Sequence, residues 1–162
     1  MRQLNMATLP QLIEEDIQRF NEILREFVNS TDTATALLID KGGFLITHEG
    51  ESNEFDLTTI AALASGAFMA NQTIAGLVKE TNFNSLYQQG EHFSIFVINV
   101  DEHSLIVAIF KSQAGVGVVK YFAAGAVKNI ARQLKVARKR APGAGLDLSM
   151  LNVADAGPFF RK

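Results

Sequence analysis

The run Leu105-Ile106-Val107-Ala108-Ile109-Phe110 is apolar at every position, and no other stretch constrains the fold as tightly. A strand with one wet face alternates apolar and polar residues, whereas an unbroken run needs cover on both faces. The rest of the chain must therefore flank a central strand and supply helices above and below it.

Around that strand the remaining elements follow from periodicity and turn residues. After Leu9-Pro10, the residues Leu12, Ile13, Ile17, Phe20, Ile23, Leu24, Phe27 and Val28 recur at steps of three and four. They predict an amphipathic helix that closes at Asn29-Ser30-Thr31-Asp32. Ala34 to Ile39 and Phe44 to His48 read as strands, and the glycines of Asp40-Lys41-Gly42-Gly43 suit the tight hairpin between them. Asp56 and Thr58-Thr59 are N-cap types that open a second helix running to about Glu80. Three strands follow, Asn84 to Gln89, Phe93 to Val100 and Ser104 to Phe110, with turns at Gln89-Gly90-Glu91 and Asp101-Glu102-His103. A last helix starts near Ala114 to Gly117 and turns Val119, Phe122, Ala123, Ala126, Val127, Ile130 and Leu134 inward. It ends in Arg138-Lys139-Arg140, where cations suit the helix dipole. The order helix, two strands, helix, three strands, helix describes an α+β sandwich, with a five-stranded antiparallel sheet between helices.

A chain of 162 residues, 48% hydrophobic, suits one globular domain. Pro142-Gly143-Ala144-Gly145 separates a domain over residues 1–140 from a flexible tail over 141–162. Net charge is only −2, yet residues 1–110 hold 5 basic and 15 acidic side chains while 111–162 hold 10 and 2. That balance makes no case for nucleic acid; the basic end reads as a solvated helix or as a field that orients a partner. The first twenty residues carry Glu14, Glu15 and Asp16 and lack a secretory start. Ala114 to Val127, the richest apolar stretch, is broken by Lys120 and glycines, so no membrane insertion is expected and a cytoplasmic location is the default.

Chemistry of the chain's own finds little support. There is no cysteine, which excludes disulfides, thiolate catalysis and thiolate-bound zinc. His48, His92 and His103 fall in separate hairpins without ligand spacing, so no metal is expected. Gly115-Val116-Gly117 opens a helix after a strand, but Lys120 stands where a dinucleotide fingerprint needs its third glycine. A tight turn explains the glycines, and with no Walker-type loop no cofactor is expected. Glu14, Glu15, Glu22 and Glu26 have the spacing of a solvated helix face, and Ala64-Ser65-Gly66 lies inside a helix rather than on a nucleophile elbow. The chain reads as a non-catalytic binding platform.

The second helix is the stretch with something to say about binding. Ile60, Leu63, Ala64, Ala67, Asn71, Ile74 and Val78 share the side expected to face inward. The opposite side holds Ala62, Ser65, Met69, Gln72, Thr73 and Gly76, with no charge at all, which is unusual for a face that meets only water. Small residues there admit another backbone at close range. Asn71 is either a satisfied amide at the rim or a hydrogen bond that fixes the helix register in a dimer.

Several stretches resemble the roadblock/dynein light chain domain family. Leu37-Leu38-Ile39-Asp40-Lys41-Gly42-Gly43-Phe44-Leu45-Ile46 is similar to its first hairpin, and Phe55 to Gly66 to the start of its small-residue second helix. Leu86-Tyr87-Gln88-Gln89-Gly90 and Leu105 to Phe110 resemble its later strands, and Gly115 to Tyr121 the opening of its last helix. The resemblance spans roughly residues 8–140 and is nearest to the bacterial MglB branch, whose members partner a Ras-like GTPase in polarity and motility. It implies a homodimer whose sheets join edge to edge, with the second helices side by side. It also implies that an MglA-like small GTPase docks on that helix face, here Ala62, Ser65, Met69, Gln72, Thr73 and Gly76. Members of the branch activate GTP hydrolysis by remodelling the partner's own catalytic groups, without an arginine finger; other roadblock proteins are scaffolds that do not activate. In the tail, Leu148, Met150, Leu151, Phe159 and Phe160 depart from the minimal domain and either contact a partner as a short segment or stay disordered. A weaker alternative is a ligand-sensing domain of profilin- or PAS-like shape.

Overall fold

The structure is a computed structural model that describes residues 9–51 and 53–140; the tail residues fall outside this range. Three helices and five strands follow the expected order: α1 (Glu14–Thr31), β1 (Thr33–Asp40), β2 (Leu45–Gly50), α2 (Leu57–Leu77), β3 (Ser85–Gln89), β4 (Phe93–Asn99), β5 (Ser104–Lys111) and α3 (Val116–Lys139). A short 3-10 turn, Ser112–Ala114, leads into α3.

The strands form one sheet in the order β2-β1-β5-β4-β3, with every neighbouring pair antiparallel. β5 is the middle strand and is buried from Ser104 to Phe110, as its unbroken apolar run requires. Its side chains alternate between two cores. Ile106, Ala108 and Phe110 join Ala36, Leu38 and Phe96 beneath α1 and α3, where Phe20, Leu24, Ile130 and Leu134 are wholly buried. Leu105, Val107 and Ile109 join Leu37, Ile39 and Val97 beneath α2, where Leu57, Ala61 and Phe68 complete the layer.

α1 begins four residues later than Leu9-Pro10 suggests, because Asp16 sets its first turn. The Ile13 N–H donates to Asp16 Oδ2 at 2.9 Å, and the acidic first turn matches the positive end of the helix dipole. Leu12, just outside the helix, is still a core residue. α2 ends earlier than expected, at Leu77: Lys79 takes a left-handed φ of 61°, and the Glu80 N–H donates back to the Ala75 carbonyl at 2.8 Å. That reversal closes the helix. Gly43 in the β1–β2 turn has φ +96°, and a Cβ there would stand 3.2 Å from Ala62 Cα, so backbone conformation and close approach both call for glycine. Gly115, with φ +73°, makes the strand-to-helix turn before α3.

Two further placements differ from the periodicity. Phe122, expected inward on α3, is 39% exposed and packs edge-on against Tyr121; Val119, Ala123, Ala126, Ile130 and Leu134 do face the core. The basic end of α3 does more than match a dipole. Asp16 is fully buried and receives hydrogen bonds from Arg140 at 2.8 and 3.0 Å and from Gln133 at 2.8 Å, which clasps the start of α1 to the end of α3. Burial alone would push the Asp16 carboxyl up; the hydrogen bonds from Arg140, the Ile13 N–H and Gln133 outweigh it and hold the group below the usual carboxylate value. Arg138 pairs with Asp101 of the β4–β5 turn at 2.8 Å.

Candidate protein-docking face

α2 carries no charged residue from Leu57 to Leu77, so its composition marks no wet side and packing alone decides which way it turns. Leu57, Ala61, Ser65, Phe68 and Ala75 are buried against the sheet. Ser65 Oγ donates to the carbonyl of Lys41 in the β1–β2 turn. Gln72 Nε2 donates to the Phe83 carbonyl at 2.6 Å, beyond the far end of the helix. These two polar side chains fasten the middle and the C-terminal half of α2 to neighbouring loops. Lys41 Nζ lies 5.8 Å from the Phe68 ring centroid, and burial draws its ammonium below the usual lysine value against the opposing pull of Asp101 and Glu102.

The outward side is apolar. Leu63 is 68% exposed and Leu77 79%, with Met69 and Ile74 at 47% each. Phe44 in the adjoining turn is 74% exposed, next to the glycine that abuts Ala62. Large apolar residues thus stand among the exposed Ala62, Thr73 and Gly76. Clustered apolar surface of this kind marks an interaction site more often than a face meant for water.

Four of the six residues expected on the docking face, Ala62, Met69, Thr73 and Gly76, are exposed. The other two are corrected: Ser65 is buried and Gln72 half-buried, and both belong to the joint between α2 and its neighbours. Conversely Leu63, Ile74 and Val78, expected inward, are exposed. Leu63, Ile74 and Leu77, with Phe44, are the surface residues that sequence reasoning missed. Bulk was the available signal: Leu57 and Phe68 share a face with Ala61 and are the large side chains that fill the core. Asn71 sits half-buried at the rim, and its Nδ2 donates to the Ala67 carbonyl one turn back at 2.9 Å, so the amide is satisfied within its own helix.

α2 is the one described helix long and apolar enough to cross a membrane by length and composition, with 22% of its most apolar window buried. The expected richest stretch, Ala114 to Val127, is not that helix. α2 also covers Leu37, Ile39, Val107 and Ile109, and its withdrawal into a bilayer would uncover the smaller of the two cores. Among the described residues no three His, Asp or Glu side chains gather as a metal site. Met150, Leu151, Phe159 and Phe160 lie outside the described residues.

A family model for the Roadblock/LC7 domain matches residues 19–110, more than half of the chain. No curated protein matches it. Among solved structures, an MglB with a tetrameric arrangement is 31% identical over 80% of this chain and 98% of its own, with a TM-score of 0.75. The gliding protein MglB from Thermus thermophilus is 31% identical over the same shares, with a TM-score of 0.74. Myxococcus xanthus MglB, at 23% identity and a TM-score of 0.74 over 80% and 98%, shares the fold. The sheet order, the three helices and these matches together place the chain in the Roadblock/LC7 domain family, on its MglB-like branch.

Proposed function

We propose that this chain is a homodimeric regulator of a Ras-like small GTPase of the MglA-like kind, which docks on the exposed side of α2. The observation that carries the reading is the composition of that side: exposed Leu63, Met69, Ile74 and Leu77 among small residues, without a charge. Two copies with their α2 helices side by side would cover part of this surface symmetrically and leave a composite face for the partner. The edge strands β2 and β3 remain available for pairing sheet to sheet. The relatives' gliding and tetrameric character fits a role in motility and a tendency to assemble. α2 offers no arginine, so acceleration of hydrolysis would come from holding the partner's own switch and catalytic groups in place.

The test is GTP hydrolysis by an MglA-like GTPase with and without this protein. Acceleration is expected, together with its loss in Met69→Arg, which sets a charge in a close-packed contact without touching the core. Binding without acceleration selects a non-activating roadblock scaffold. Unchanged acceleration by the variant removes α2 as the dock, and light scattering that shows a monomer at micromolar concentration removes the dimer.

A further inference from the structure

A groove opens where the C-terminal half of α2, the approach to β3 and the β4–β5 turn meet, and it measures about 760 Å³. Its lining includes Phe68, Met69 and Phe83 and the amides Gln72, Asn82, Asn84 and Asn99. Among the described residues three side-chain polar atoms are buried without a hydrogen-bond partner, and two of them, Gln72 Oε1 and Asn99 Oδ1, belong to this lining. The Gln72 oxygen is fixed as the orphan, because Nε2 already donates to the Phe83 carbonyl. An unpaired buried acceptor costs about 1–3 kcal/mol, which a small side-chain rotation toward an N–H in the groove would recover. Rim charges are already matched: Arg138 donates to Asp101 at 2.8 Å, and Lys41 feels both Asp101 and Glu102. A lining of mixed polar and apolar character, unpaired acceptors and balanced charge together suit a stretch of polypeptide, whose backbone brings N–H donors at regular intervals.

We propose that the occupant is this protomer's own tail, residues 146–151. Arg138 is on the groove's rim and lies two residues before the last described residue, Arg140, which is held by Asp16. The groove therefore has a lining side chain within two residues of the point where the described chain ends. Pro142-Gly143-Ala144-Gly145 can reverse its direction, and the six residues from Arg140 to Leu146 reach about 20 Å when extended. Leu146, Leu148 and Met150 recur every second residue and so share one side of an extended segment, the side that would meet Met69 and Phe83. Docked there, the tail lies against Met69 and Gln72, at the border of the exposed side of α2. The inference stands whatever α2 binds.

The chain has no cysteine, so Ser149→Cys gives this 162-residue chain a single site for a nitroxide label. The side-chain amide signals of Gln72, Asn84 and Asn99 should broaden several-fold more than those of Asn29 and Asn129, which sit on α1 and α3. Adding Leu148→Asp should erase that difference while the circular dichroism stays unchanged. Even broadening at all five amides, or broadening concentrated on Asn29 and Asn129, overturns the proposal. A mixture of isotope-labelled unmodified protein with spin-labelled protein separates the sources: equal broadening there assigns the groove to another copy's tail and overturns self-docking.

Discussion

α1 and α3 close one face of the sheet together, while α2 covers the other face alone. On the first face the helices are locked to each other through Asp16, Gln133 and Arg140, and charged residues share the outer surface with exposed Val118, Tyr121 and Phe122 of α3. On the second, the helix is pinned at its middle by Ser65 and in its C-terminal half by Gln72, and it presents Leu63 and Leu77 to solvent. The first arrangement is tied together within one chain by side-chain bonds between its two helices. The second has the core layer it needs and an apolar exterior it does not need, which is how a domain looks when its remaining cover comes from another molecule.

The sharpest way to break this comparison is to mutate neighbours on α2. Phe68→Ala should cost about 4 kcal/mol in urea unfolding by opening a cavity under the sheet, whereas Met69→Ala should cost less than about 0.5 kcal/mol. Equal costs would mean that α2 is turned differently. On the other face, Asp16→Ala should cost about 3 kcal/mol, because it leaves Arg140 and Gln133 without their acceptor. A cost near zero in the same measurement would show that the clasp adds nothing to closure.

The clasp also has a pH signature. Its carboxyl titrates lower in the folded chain than in the unfolded one, so its stabilisation is complete above about pH 4 and disappears as pH falls through the folded value. Asp16→Asn should flatten that part of the acid-unfolding curve, and an unchanged curve would assign the acid sensitivity elsewhere. The smallest expected effect on stability, within about 0.5 kcal/mol at low protein concentration, belongs to Leu77→Ser on the open face. Sedimentation should nevertheless show weakened self-association in that variant; retained assembly would take Leu77 out of the interface.

Much of the fold was legible in the sequence because the elements carry unambiguous marks. β5 is apolar throughout, Gly43 and Gly115 punctuate turns, and α1 alternates wet and dry positions, so type and order could be read directly. The site was legible in its place but not in its orientation. A helix free of charge has no polar stripe to fix its phase, so Ser65 looked outward and Leu63 inward until the sheet was present to choose. The Asp16 clasp was hidden for a different reason. Its partners lie at the opposite end of the chain, and no local periodicity reports a contact of that range.

The central position of β5 also bears on how the chain acquires its structure. β4 and β5 can pair through a short turn, and so can β1 and β2, but the ladder between β1 and β5 joins residues such as Leu37 and Val107 across most of the domain. Two local units must therefore meet in one slow closure of a long loop, and the entropy of that closure is spent before the ladder returns anything. α2 lies within the loop, so until the two halves meet it has no floor on which to rest. Its apolar surface is then exposed on all sides, which makes the interval before closure the time when the nascent chain most needs protection from its neighbours.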